Sequence, residues 1–260
     1  MLGAIIGDMV GSTYEFAPTK NYNFDLLPAG SEYTDDSIMC VAVADAIMQG
    51  TPYMESLRKW GRLYPNPKGS YGGKFAEWLR SDTPEPYNSF GNGSAMRVAP
   101  IGWAFESLFT TEMEAYKCAE CTHNHPEGIK GAVATAAAIY MARKGECKGA
   151  IKAAIEQRFS YDLSFDLEER KRSYSFDESC MGTVPVAIKC YLESNNFEDA
   201  IRLAVAMGGD ADTLGCITGA IAEAGYGTHA IPSLLFVASI SKLPLLMQEV
   251  VAAFIERYQR

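Results

Sequence analysis

Residues 197–224 read FEDAIRLAVAMGGDADTLGCITGAIAEA, two helical runs separated by a glycine pair and two aspartates. In the first run Phe197, Ala200, Ile201, Ala204 and Val205 recur at the three-and-four spacing that puts side chains on one helix face. Gly208 and Gly209 end that helix, because glycine adopts backbone conformations closed to larger residues, and they can turn Asp210 and Asp212 inward. A second helix starts beyond Asp212 with LGCITGAIAEA.

The same pattern extends through the chain. SIMCVAVADAIM, from Ser37, is apolar nearly all the way round and predicts a helix at the centre of a bundle, with Asp45 its only interior acid. Further helices are predicted from about Met54, from Pro126 to Ala142 through alanine-rich GIKGAVATAAAIYMA, and over the tail MQEVVAAFIERY with Val250, Val251, Phe254 and Ile255 on its apolar side. No strand repeat of comparable quality is present, and FSYDLSF (159–165) is ambiguous over a few residues. The stretches 64–71 and 81–94, rich in Pro, Gly, Ser and Asn, predict structured loops, and EERKR (168–172) a solvated connection. With no internal repeat or linker, residues 1–260 predict one mainly helical domain.

Composition narrows the partners. The chain has 260 residues, 48% hydrophobic and 21% charged, which is ordinary globular composition. Its 23 basic and 32 acidic residues give a net charge of −9, which disfavours binding to a nucleic-acid backbone. Seven cysteines, an odd and scattered set, fit a reduced, cytoplasmic setting better than a disulfide framework. MLGAIIGDMVGS lacks a positive leader and meets Asp8 early, so it does not read as a signal peptide. IPSLLFVASISKLPLLM (231–247) is interrupted by Pro232, Lys242 and Pro244, and no membrane association is expected.

Two acidic turns carry the chemistry. Thr34-Asp35-Asp36-Ser37 and Gly209-Asp210-Ala211-Asp212-Thr213 each stand where an apolar helix begins. One acid or threonine suffices to cap a helix. Two acids per turn, with Thr34 and Thr213 adding neutral oxygens, form the hard donor set preferred by magnesium or manganese. If the turns face each other, divalent cations would offset four negative charges; capping with surface charge is the other reading.

Other segments are weaker alone. GNGSAMR (91–97) offers backbone amides, Asn92, Ser94 and Arg97 to an anion or a diphosphate, or is a plain turn; the lysine of a P-loop and a GxGxxG fingerprint are both missing. GDMVGSTYEF (7–16) predicts an early buried helix in which Asp8 and Glu15 are awkward; Glu15 suits a base for an attacking water, an added cation ligand or a solvated acid. Cys118, Cys121, His123 and His125 form a rival zinc set, although their separations are far shorter than those of a zinc finger, and a histidine at a ligand cleft fits better. No G-x-S-x-G elbow supports serine hydrolysis, and Cys180 or Cys216 would need a lowered pKa to act as a nucleophile.

Taken in order, GDMVGSTYEF, TDDS, GNGSAMR, THNHPEG and GGDADTLGCITGAIAEAGYG closely resemble the ADP-ribosylglycohydrolase family, the group containing dinitrogenase-reductase-activating glycohydrolase. The resemblance runs from about residue 3 to 227 and implies a compact all-α single-domain bundle with two divalent cations, Mg2+ or Mn2+, in a cleft. It implies Thr34, Asp35, Asp36, Asp210, Asp212 and Thr213 as metal ligands, and Glu15 and Asp35 as catalytic groups assisting proton transfer. Asn92, Gly93, Ser94, Ala95, Met96 and Arg97 would hold the diphosphate and adjoining ribose, with His123 a substrate contact; His125 receives no role. The implied reaction is hydrolysis at the anomeric carbon of ADP-ribose carried by a protein side chain or a small ADP-ribosyl compound, by a monomer. The loops at 14–33 and 60–92 are expected to wall the entrance. A binuclear phosphohydrolase and a non-catalytic ADP-ribose binder are the alternatives.

Overall fold

The computed structural model describes residues 1–259, with residues 197–224 at its heart. In chain order its helices are α1 (Leu2–Gly11), α2 (Asp35–Gln49), α3 (Tyr53–Leu63), α4 (Gly73–Arg80), α5 (Gly93–Met96), α6 (Ala99–Ala104), α7 (Leu108–Glu120) and α8 (Pro126–Arg143). They continue as α9 (Lys148–Phe159), α10 (Leu167–Ser173), α11 (Cys180–Glu193), α12 (Phe197–Val205), α13 (Ala211–Tyr226), α14 (Ser233–Ile240) and α15 (Leu245–Tyr258). Among the described residues there is no β-strand, only two isolated bridges, and no helix is long and apolar enough to cross a membrane. This is an all-α bundle.

The axis of the bundle is the pair α1 and α13. Every residue of α1 is buried, as is α13 from Ala211 to Ala224. Two helices buried on all sides need a seam where backbones meet, and glycine supplies it: a Cβ on Gly7 would overlap the Gly215 carbonyl, and one on Gly3 the Gly219 carbonyl. This contact fixes the register of α1 against α13 to a single turn.

Around that pair stand α2, α8, α11 and α12, sharing one core cluster with Met9, Ile38, Val41, Ile139, Val184, Ile201 and Leu214. The interior acid of α2, Asp45, is satisfied by Lys59 Nζ at 2.7 Å and Trp60 Nε1 at 2.8 Å, so α3 closes over it. Gly208, with φ +64°, makes the left-handed turn that reverses the chain between α12 and α13.

One local expectation needs correction, and one ambiguous segment is resolved. The charged run 168–172 lies within α10, a short helix capped by Asp166 Oδ1 accepting from the Glu169 amide at 2.7 Å, because a capped acidic start and basic end suit the helix dipole. FSYDLSF forms no strand; Phe159 ends α9, and Tyr161 and Leu163 enter the core from an irregular segment.

Candidate active site

Because α2 and α13 both begin on the same side of α1, their first turns open into one cavity of about 520 Å3. Asp35, Asp36, Asp210, Asp212 and Thr213 line one wall together with Glu15 from the loop after α1. One oxygen from each of Glu15, Asp210 and Asp212 lies within 4.8 Å of the others, a group able to hold a cation. Thr213 Oγ1 donates to Asp36 Oδ2 at 3.3 Å, which joins the two turns directly. The sequence separates these residues by 177 positions; the α1–α13 seam brings them together.

The wall is electrostatically unbalanced. Among the described residues none of these acids is in an ion pair, and the buried oxygens Asp36 Oδ1 and Glu15 Oε2 have no hydrogen-bond partner. Burial pushes the Glu15 carboxyl up to about 8, with Asp212 and Asp8 adding to the rise, and pushes Asp210 up to about 6. Burial and neighbouring acids hold Asp35, Asp36 and Asp212 well above the usual carboxylate range. Acids that resist ionisation, with oxygen-only donors and buried oxygens lacking partners, fit hard divalent cations, which would replace the missing protons and donors.

Thr34 stands behind this wall, fully buried, and does not line the cavity. Its hydroxyl accepts from the Asp36 amide at 3.2 Å, the expected cap, and donates to Asp8 Oδ1 at 2.8 Å. Asp8, an awkward acid by sequence, is fully buried. It is the anchor of α2, accepting also from the amides of Thr34 at 3.0 Å and Ser37 at 3.1 Å and from the Ser37 hydroxyl.

The opposite wall is the turn into α5. The Asn92 amide donates to Glu178 O at 2.7 Å, and those of Ala95 and Met96 donate to Asn92 O, whereas the amides of Gly93 and Ser94 meet no acceptor among the described residues. Gly91, Asn92, Gly93, Met96 and Arg97 line the cavity; Ser94 and Ala95 do not. The Ser94 hydroxyl is committed to Gly128 O at 2.7 Å, so it ties α5 to α8 and does not face a ligand. The Asn92 side chain is committed as well: Nδ2 donates to Asp210 Oδ2 at 2.6 Å and to Thr183 Oγ1 at 3.0 Å, coupling this turn to the acidic wall.

Arg97 acts from further back. The residue is 1% exposed, and Nη2 donates to Cys118 O at 2.7 Å and Thr122 Oγ1 at 2.9 Å. Thr122 Oγ1 also shares a hydrogen bond with His123 Nδ1 at 2.6 Å, and the ring's Nε2 edge lies beside Gly91 and Gly93. Burial and the Arg97 charge hold His123 well below the usual imidazole range, so it stays neutral. The rival zinc set does not assemble: among the described residues no group of cysteines and histidines converges, and His125 caps α8 by accepting from the Glu127 amide at 3.1 Å.

The mouth carries residues that pattern reading passed over. Phe16 and Phe176 stack with ring centroids 6.1 Å apart across the cleft, and Tyr71, Lys74 and Glu178 also line it. Both expected entrance segments contribute, although 60–92 includes the helix α4. Phe176 and Glu178 lie outside both segments, and nothing in the sequence pointed to them.

A family model described as ADP-ribosylglycohydrolase matches residues 1–259. The chain belongs to the ADP-ribosylglycohydrolase family. It is a hydrolase of that type, with the all-α architecture described above. It is similar to ADP-ribosylarginine hydrolase Tri1 of Pseudomonas putida, 28% identical, covering 89% of this chain and 71% of that protein. It is also similar to ADP-ribosylhydrolase ARH3 of Homo sapiens, 26% identical, covering 89% and 85%. A solved structure described as an ADP-ribosylglycohydrolase-related protein complex superposes with a TM-score of 0.74 at 26% identity, over 98% of this chain and 96% of that one.

Proposed function

We propose that this protein hydrolyses the glycosidic bond joining ADP-ribose to a protein side chain or a related small acceptor, with two divalent cations, Mg2+ or Mn2+, held by Asp35, Asp36, Asp210, Asp212 and Thr213 of the wall and by Thr34 Oγ1 from behind it, 3.5 Å from Asp36 Oδ2. The observation that carries the reading is one cavity with an acid-rich oxygen wall facing an amide and imidazole wall. A sugar diphosphate has the matching asymmetry, hydroxyls at one end and phosphate oxygens next to them. Bound cations would neutralise the acids and supply Lewis acidity toward a sugar hydroxyl and a water.

The chain's own residues divide the remaining work. The amide of Gly93 and, with Thr122 donating to Nδ1, the Nε2–H of His123 donate to the diphosphate, and a neutral imidazole does so across the physiological pH range. Asn92 keeps Asp210 aligned while that turn is loaded. Glu15 takes the proton of the attacking water at Oε2, an atom without a partner of its own, and Asp35 is the second candidate acceptor. The water oxygen bonds to the anomeric carbon as the bond to the acceptor breaks. The proton taken from water passes to the departing atom, so the acceptor leaves as guanidinium from arginine or as a hydroxyl from serine.

The test is product analysis on defined arginine- and serine-linked ADP-ribosyl peptides, with Mg2+, Mn2+ or chelator. Free ADP-ribose from at least one peptide, lost with chelator, supports the proposal. AMP with ribose phosphate assigns diphosphate cleavage instead, and ligand binding without turnover assigns a binding protein.

A further inference from the structure

Asp8 lies fully buried on α1, outside the cavity lining, with four hydrogen bonds on its carboxylate and no ion pair among the described residues. All four come from the first turn of α2: Oδ2 accepts from the Thr34 amide, the Ser37 amide and the Ser37 hydroxyl, and Oδ1 from the Thr34 hydroxyl. An ordinary helix start needs one side-chain acceptor, and Thr34 already supplies it to the Asp36 amide. A second anionic acceptor, buried beside other acids, therefore has a purpose beyond capping.

That purpose is legible in the protons. The Thr34 hydroxyl has one hydrogen and two lone pairs. Its oxygen lies 2.8 Å from Asp8 Oδ1 but 3.5 Å from Asp36 Oδ2, so the hydrogen goes to Asp8. One lone pair takes the Asp36 amide, and the other stays free next to Asp36. Without Asp8 the nearest carboxylate acceptor for that proton would be Asp36 itself, and the hydroxyl would offer a hydrogen where a cation needs a lone pair.

We propose that Asp8 is a positioning residue of the cation site, drawing the Thr34 proton backwards so that Thr34 and Asp36 present oxygen lone pairs together, with α2 pinned to the helix that sets the α13 register. This rests on the reading that cations bind between the two turns. Outer hydrogen bonds of this kind typically change metal affinity by about 10–100-fold.

Asp8→Asn makes a sharp test. The amide oxygen can replace Oδ2 and keep three donors, but the amide nitrogen then faces Thr34 and reverses that bond, turning the Thr34 proton toward Asp36. Mn2+ binding would be measured by calorimetry on wild type, Asp8→Asn, Thr34→Val and the double variant, with metal-free melts alongside. Asp8→Asn should weaken Mn2+ by about tenfold or more while the metal-free protein still melts cooperatively. In the Thr34→Val background it should add less than about twofold, because both changes remove the same lone pair. Unchanged affinity in Asp8→Asn, or losses that multiply in the double variant, overturns the inference. Should Asp8→Asn not fold, Thr34→Val and Thr34→Ser decide: affinity must fall in the first and return in the second, and wild-type affinity in Thr34→Val refutes the role. Wild type that binds no Mn2+ overturns the cation reading as well; wild-type binding with no Asp8 effect overturns this inference alone.

Discussion

At the start of α2 the acids are clamped from behind, by a buried carboxylate that takes hydrogen bonds from Thr34 and Ser37 on either side of them. At the start of α13 the acids are held from the side, by the Asn92 amide on Asp210 and by the Asp212 carboxylate folding back on the Thr213 amide at 2.9 Å. The first arrangement uses charge to direct protons within a rigid seam. The second uses a neutral amide that belongs to the opposite wall of the cleft. The difference separates two jobs, one turn fixed to the core and the other coupled to whatever occupies the phosphate side.

Breaking either turn at its acids should have the largest effect. Asp36→Asn and Asp210→Asn each remove a charge from the oxygen wall, and ADP-ribose release should fall by on the order of 100-fold or more with helical circular dichroism retained. A fall in one variant only would mean that the turns do not act as one site.

Asn92→Ala should come next, with turnover down by about tenfold from a misaligned Asp210. Because Asn92 spans both walls, the loss should also weaken ADP-ribose binding, whereas Asp8→Asn should leave binding of free ADP-ribose in the absence of metal nearly unchanged. Titration of ADP-ribose into both variants checks this. Equal behaviour of the two would erase the distinction between a core-fixed and a ligand-coupled turn.

A pH series on metal-free protein sharpens the electrostatic side. Carboxyls raised in the fold, Glu15 to about 8 and Asp210 to about 6, favour the folded state while protonated and lose that contribution as pH rises through those values. Metal-free protein should therefore melt several degrees lower at pH 8 than at pH 5.5, and Mn2+ should restore most of the loss at pH 8. A melt that rises steadily over the same range without metal would contradict unpaired buried acids.

The smallest expected effect is at Ser94. Ser94→Ala should cost about 1 kcal/mol of stability from the lost bond to Gly128 O, yet change ADP-ribose affinity by less than about threefold. Paired melting and binding measurements separate the two.

Much of this was legible before the fold was known. Apolar spacing located α12 and α15, because burial of one face imposes its period on the residues, while α2 and α13 were legible as apolar runs and α8 by its alanines. The acidic turns were legible as donor sets, since two acids exceed what a cap requires. Their meeting was not, because it depends on Gly7 against Gly215, and glycine in sequence does not name its partner. Asp8 was missed for a related reason: a lone acid in an apolar run shows its cost, while its donors lie more than 25 residues on. Ser94 and Asn92 invited assignment to the ligand as polar residues in a glycine turn, but their hydrogen bonds run to Gly128 and Asp210.

The most direct measurement is a Mn2+ titration of wild type, Asp36→Asn and Asp210→Asn by calorimetry at one pH. Two Mn2+ per wild-type chain, with binding weakened in both variants although they alter different helices, is the predicted result. Undiminished Mn2+ binding in either variant would contradict a site shared between the starts of α2 and α13.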